Sequence, residues 1–409
     1  MTRIRFDRLG GFAGLRSALL RMLLALTLAG CGGGVGLAGG DGGSGGVGSG
    51  GTGTFAVGPI SGYGSILVNG IRYDLGQLSA APRDDDDGER AVATLQLGTV
   101  VRVEAGPIDF GTSPPRAVAR TVRVSSEVVG PVESVVDDAA GRTLRVAGQT
   151  VRIQAGTTVL DERLSAGAPA PGDWIEVYGA IDGAVSPARI VATRIEPHAA
   201  DGARVRGTVT DIGTSALRIG SGVYGFGGGT PPAGAAVGSL LQLRLQGSAG
   251  QGWQVATVAD APTAPAEAAA AHVEGRVTSI VSSDRFVVDD LVVDAGGLST
   301  AGLTLGRRVV VEGPIRAGVL HAESLQFKSD DDRPGQAEPY EFHGTIATAD
   351  TVAATFSLSG RSELFRLGPG TRYEGGGAAR AVAGVRLEMR GTLNADGRSV
   401  DVVFVHFED

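Results

Sequence analysis

One cysteine, Cys31, and five histidines limit the chemistry that these 409 residues can host. His198, His272, His321, His343 and His406 occur singly, and no two stand at metal-ligand spacing such as H-x-x-x-H. His343 and His406 flank the last repeat and could meet in space, with a solvated pair the simpler expectation. The densest carboxylate group is Asp84, Asp85, Asp86 and Asp87 with Glu89. Calcium takes several carboxylate oxygens, which makes these five the candidate metal ligands. Their spacing departs from the EF-hand, with Gly88 fifth, Glu89 sixth and Leu95 where the bidentate Glu belongs. A run of like charges in a turn is expected to be solvated, and Asp330–Asp332 is a still weaker candidate. No G-x-S-x-G elbow between a strand and a helix appears, although spacing alone leaves a serine–histidine–acid site open. No cofactor motif stands out, and no set of residues selects an active site.

The cysteine lies in "LTLAGCGGGVG" (26–36). Before it come Arg3, Arg5, Arg8, Arg16 and Arg21, then the apolar run Met22–Ala29 and small residues, the organisation of a secretory signal peptide. The run is far short of the roughly 20 residues of a spanning helix. Leu28-Ala29-Gly30-Cys31 resembles the lipobox of bacterial lipoproteins. That resemblance implies cleavage between Gly30 and Cys31, a diacylglycerol on the thiol and an acylated amino terminus. Several acyl chains, at about 0.8 kcal/mol per buried CH₂, hold a protein to a bilayer durably where one chain does not. Gly32, in place of the Asp that retains such lipoproteins at the inner membrane, points to the outer membrane, facing the periplasm or the exterior. With the thiol acylated, neither thiol catalysis nor an intramolecular disulfide is expected.

Residues 32–53 hold 14 glycines in 22 positions. Such a chain builds no core and is expected to act as a flexible tether, with a root-mean-square span of about 26 Å. A phosphate-cradling loop would need a strand before it and a helix after it. Removing residues 1–30 takes away five Arg and one Asp and leaves a net charge of about −12. An acidic chain with 5% aromatics lacks the basic groove and stacking platform of nucleic-acid binders, so no nucleic-acid partner is expected.

The remainder repeats. A glycine opens a short alternating run at Gly58, Gly130, Gly207, Gly275 and Gly344, at spacings of 72, 77, 68 and 69 residues. Each copy later brackets a second run between glycines, such as Gly98 "TVVRVEA" Gly106, Gly172 "DWIEVY" Gly179 and Gly306 "RRVVVE" Gly313. "TLRVAGQTVRIQ" and "DRFVVDDLVVDA" alternate apolar and polar residues around Gly or Asp turns, the pattern of half-buried strands in hairpins. The glycines are expected to supply positive φ or bulges where strands bend. Five or six short strands in about 60 residues suit a small closed barrel of the OB kind or a compact sandwich, and closure, which removes exposed edges, favours the barrel. The expected fold class is therefore all-β: five tandem small OB-like β-barrel modules after a signal peptide and Gly-rich linker. "APAEAAAAHVEG" (264–275), "EPHAADGA" (196–203) and "SDDDRPGQAEP" (329–339) read as linkers, which predicts semi-independent beads in a row.

At copy one, "TFAVGPISGYGSILVNGIRYD" (54–74), the later "LQLGTVVRVEAG" and the acidic "RDDDDGE" resemble the bacterial family called domain of unknown function 5666. The resemblance implies tandem copies in exported, often lipid-anchored proteins, and it carries over no catalytic residue. Copy one fits best. In copy three "GSGVYGFGGGTPPAG" replaces the middle strands, so its barrel is expected to be incomplete. The expected organisation is signal peptide 1–30, lipidated tether 31–53, and modules 54–127, 128–198, 203–260, 272–329 and 340–409. The expected function is a non-catalytic envelope protein held to the membrane by its lipid, presenting modules to an envelope protein or glycan or acting as a spacer. The alternatives are an exported glycan- or calcium-binding array and, third, an enzyme with a site between modules.

Overall fold

The computed structural model describes residues 53–62, 65–85, 88–139, 141–164, 167–328 and 339–408. The expected signal peptide with Gly30, Cys31 and the expected tether up to residue 52 lie outside them, as do Asp86, Asp87 and Asp330–Asp332.

Module one contains β1 (Thr54–Gly62), β2 (Ile66–Val68), β3 (Ile71–Asp74), the two-residue β4 (Arg83–Asp84), β5 (Val100–Ala105) and β6 (Arg116–Val124). β1, β2 and β3 form an antiparallel meander. β3 then pairs in parallel with β6, β6 antiparallel with β5, and β5 antiparallel with β1. The pairings close on themselves, which removes free sheet edges.

The same circuit recurs. In module two β7 (Val128–Asp138), β8 (Gly141–Val146) and β9 (Gln149–Ile153) form the meander, and β12 (Arg189–Pro197) and β11 (Trp174–Asp182) return to β7. The short β10 (Val159–Leu160) also pairs with β12. Module three uses β13 (Ala203–Ile212), β14 (Ala216–Ile219), β15 (Gly222–Gly225), β16 (Leu240–Ser248) and β17 (Gly252–Asp260). Module four uses β18 (Ala268–Ile280), β19 (Arg285–Val288), β20 (Leu291–Asp294), β21 (Arg308–Arg316), β22 (Val319–His321) and β23 (Ser324–Phe327). Module five uses β24 (Tyr340–Asp350), β25 (Thr355–Leu358), β26 (Leu364–Glu374), β27 (Arg386–Leu393) and β28 (Ser399–Phe407). The described residues are thus almost wholly β. The parallel seam that closes module three is a single pair, Gly225↔Gln254, whereas module five has a ladder from Leu364↔Ser399 to Glu374↔His406. Glycine and proline between Gly225 and Leu240 leave that connection without a strand to lay along β17.

The repeated glycines do two different jobs. At Gly58 and Gly275 the backbone is not left-handed; a Cβ would collide with the side chain of the hairpin-turn residue, Asn69 or Asp289. A β-bulge follows two residues later in every copy, beginning at Ile60, Val132, Val209, Val277 and Ile346, and bends the first strand towards closure. Positive φ belongs to the turn into the fourth long strand, as at Gly98 (φ +79) and Gly306 (φ +76). The tightest approach is at Gly313, where φ is +154 and a Cβ would overlap the carbonyl oxygen of His321. Gly313→Ala is expected to lower stability by about 1–3 kcal/mol; an unchanged urea midpoint would contradict this packing.

The modules are not beads in a row. β1 runs parallel to β18 from Thr54↔Ala270 to Val57↔Val273, and Gly62 pairs with Glu341 of β24. β7 pairs with β13 at Val128↔Val205 and Val129↔Arg204. Successive side chains of a strand point to opposite faces. Ala56 and Ile60 therefore enter a core shared by modules one and five, while Phe55 and Val57 enter the core of module four. Modules two and three share a third core, with Tyr224 and Trp253 set against Val146 and Ala147. "TFAVGPI" is almost wholly apolar because β1 is buried on both sides. The alanine-rich 264–275 segment is a strand from Ala268 onwards rather than a linker, so module four begins four residues before position 272. Alanine is a poor strand former, and pairing with β1 on one side and β21 on the other overrides that preference.

Candidate functional site

Charge gathers at two junctions, both built on the acidic turn of module one. In the first, Arg90 reaches out of that turn into module two, where it meets Glu176, Glu196 (3.1 Å) and its own neighbour Asp84. Its guanidinium lies 5.9 Å from the centroid of the Tyr178 ring, and the Tyr178 hydroxyl donates to Glu196 Oε1 at 3.0 Å. Arg194, 1% exposed, donates to Asp161 Oδ2 at 2.5 Å and to Glu196 Oε2 at 3.1 Å. Burial pushes the Asp161 carboxyl up, but hydrogen bonds from Arg163 and the charge of Arg194 outweigh it and leave the group below its ordinary range. Burial beside Glu176 and Glu196 raises the Tyr178 phenol well above its ordinary value.

The second junction joins modules one, three and four. Arg206 donates to Asp290 Oδ2 at 2.5 Å, and lies 3.2 Å from Asp85 Oδ2 and 3.5 Å from Glu127 Oε1. Arg102 donates to the same Asp290 oxygen at 2.5 Å and to Ser125 Oγ at 3.1 Å, and Ser125 donates to Asp85 Oδ1. Asp289 accepts the Arg276 amide at 3.2 Å. Carboxylates outnumber the guanidiniums that neutralise them, and the excess shows in the protonation equilibria. Burial pushes Glu127 up to about 7 against the pull of Arg206, and pushes Asp289 up to about 8. Burial raises Asp290 too, but Arg102 and Arg206 pull it below the ordinary range.

A cleft of about 480 Å³ opens where modules one, two, four and five meet. Its walls include Pro59, Ser61 and Asn69 from module one, Gln154 and Thr157 from module two, Glu274, Arg308, Glu312 and Gln326 from module four, and Tyr340 and Glu341 from module five. Asn69 ties the floor together by donating to the carbonyls of Val57 and His272 at 2.8 and 2.7 Å.

The candidate residues read from sequence separate here. Asp84 and Asp85 are not solvated: each is engaged by an arginine, Arg90 for the one and Arg206 for the other. Glu89 remains at the surface, 3.7 Å from Arg83. Among the described residues no group of three or more His, Cys, Asp or Glu is placed to hold a metal. His343 and His406 face different carboxylates, Glu408 and Glu374, at 3.1 and 3.3 Å. The other histidines also meet single carboxylates, as His272 meets Glu312 at 3.2 Å. The residues that organise the junctions, Arg90, Arg194, Arg206 and Asp290, escaped sequence reasoning. Arg194 and Arg206 carried one signal, charge inside apolar strand runs, as in "IVATRIEP" and "ARVRGTV", whereas Arg90 and Asp290 lie in turns and carried none.

Residues 129–196 match the family model described as Domain of unknown function (DUF5666). The second module is a DUF5666-like domain. The match falls on copy two rather than copy one, whose opening carried the likeness in sequence. The DUF5666-like module contains Asp161, Glu176, Tyr178, Arg194 and Glu196, the wall that receives Arg90. A solved structure described as a multidomain protein with nucleic acid binding domains from Streptococcus pneumoniae TIGR4 is 16% identical. It covers 49% of this chain and 72% of its own, with a TM-score of 0.13. No curated protein matches the chain.

Proposed function

We propose that this is a non-catalytic, lipid-anchored protein of the cell envelope, held to the outer membrane through Cys31, whose modules act as one rigid body offering a binding cleft. The observation that carries the reading is the pair of buried arginine–carboxylate junctions. They span modules one to four and suit a fixed interaction surface better than an extensible spacer. A lipid at Cys31 and a glycine-rich tether would let such a body turn at the membrane surface. One observation favours a second reading, an enzyme with a site between modules. Asp289 lines the cleft as a carboxyl protonated to about pH 8, the state a general acid needs. Against it, Glu274 is engaged by Arg308 and Glu312 by His272, so neither is free to act as the partner base.

Metabolic labelling with palmitate tests the anchor. The chain should take up label and partition with membranes, and Cys31→Ser should lose both. Equal labelling of the two would refute lipidation at this thiol.

A further inference from the structure

We propose that the cleft between modules one, two, four and five binds a neutral, hydroxyl-rich ligand, a short stretch of oligosaccharide, held by side chains. This rests on the reading of the protein as a binding body and names its ligand class. The volume of about 480 Å³ lies within the usual range for ligand sites. The carboxylates on its walls face partners, while Arg276 donates to the Gly306 carbonyl at 2.7 Å and Lys328 adds a further positive charge. Glu274 accepts from Arg308 at 2.7 Å, Glu341 pairs with Arg390 at 2.9 Å, and Glu312 faces His272 at 3.2 Å. The walls set Glu274, Glu312 and Glu341 against Arg276, Arg308 and Lys328, so they exert little net field and give no preference for an anion or a cation.

Between them stand the amides of Gln154 and Gln326 and the hydroxyls of Ser61 and Thr157, which donate to the carbonyls of Leu67 and Gln154 and keep their lone pairs as acceptors. Such groups both donate and accept, the complement of vicinal sugar hydroxyls. Pro59, Pro114 and Tyr340 supply apolar faces for the C–H side of a sugar ring.

A peptide is the poorer fit. The strands that floor the cleft are flanked on both edges: β1 by β18 and β5, β18 by β1 and β21, and β21 by β18 and β23. Their backbones therefore offer no edge on which a further strand could be added.

Calorimetry and saturation-transfer NMR on the full chain, with maltotriose, cellotriose and chitotriose as probes, test this. At least one should bind with a Kd below about 1 mM. Gln326 is exposed, so its substitution should leave the melting temperature unchanged. Gln326→Ala should weaken binding about three- to tenfold, the share of one or two lost hydrogen bonds, and Gln326→Trp should block the cleft and abolish binding. Three results would each overturn the proposal: no neutral trisaccharide binds, trigalacturonate or an uncharged hexapeptide binds more tightly, or Gln326→Trp binds like the parent. Cleavage of a bound trisaccharide would keep the ligand class and overturn the non-catalytic reading. Absence of sugar binding with Cys31 still labelled would remove the ligand class and leave the anchored body standing.

Discussion

Arg206→Met is expected to destabilise the protein by about 3–5 kcal/mol, because it leaves the carboxylates of the second junction buried with too little positive charge. Arg206 is 6% exposed and reaches Asp290, Asp85 and Glu127 from three different parts of the chain. The methionine fills much of the same volume, so the loss measures charge rather than a cavity. Burial opposes the Arg206 charge, yet Asp290, Glu127 and Asp85 hold it firmly protonated, so the wild-type junction keeps its cation across the accessible pH range. Adding Asp290→Asn to Arg206→Met should cost less than a second full penalty, since the removed carboxylate has already lost one of its two guanidinium partners and keeps only Arg102. Denaturant unfolding of the four proteins decides the matter. A loss below about 1 kcal/mol for Arg206→Met would show that the junction carries no buried ionic energy.

Stability should fall as pH rises from about 5 to about 8, opposite to the trend produced by ordinary paired carboxylates. Glu127 titrates at about 7 in the folded protein against an ordinary 4.5. The native state thus holds a proton that the unfolded chain has released, and that contribution drains away as pH climbs from the unfolded value through the folded one. The shift corresponds to about 3 kcal/mol for Glu127, which is 6% exposed. Asp289, raised by burial from an ordinary 3.8 to about 8, acts in the same direction and over a wider pH window. Asp161 and Asp290 have lowered values and act oppositely, so their stabilisation is lost as pH falls through the acid range. The two trends together place the maximum near pH 5. Glu127→Gln should flatten the alkaline decline. A urea midpoint that stays level or rises between pH 5 and pH 8 would contradict this account.

The two expectations concern one feature. Buried ion pairs are weak contributors to stability compared with apolar packing, but each partner is costly to remove. A junction of this kind acts as a specificity device: modules one, three and four fit together only where Arg102 and Arg206 meet Asp290. The first junction does the same between module one and the DUF5666-like module through Arg90.

Strand class and landmark spacing were legible in the chain because they depend on local rules. Alternation with period two writes a half-buried strand, and a glycine at a fixed offset writes a bend. Module three was legible only in part. Its middle strands β14 and β15 form after all, before and within the "GSGVYG" stretch. Only the seam to β17 shrinks to one pair, because glycine and proline between Gly225 and Leu240 cannot extend a ladder. The fate of the acidic turn was not legible. Asp84 and Asp85 are neighbours in sequence but face arginines at positions 90 and 206, and solvation is the correct default until those partners are brought near. The alanine run before His272 misled for a related reason, because its strand exists only where β1 lies beside it. The sequence alone thus determined an all-β chain of repeated units with a lipobox-like cysteine ahead of them. Only tertiary structure decided that β1 is shared between cores, that charges close the junctions and that a cleft is left between modules. Pairing between distant segments is a property of their meeting, and neither partner records it in its own local pattern.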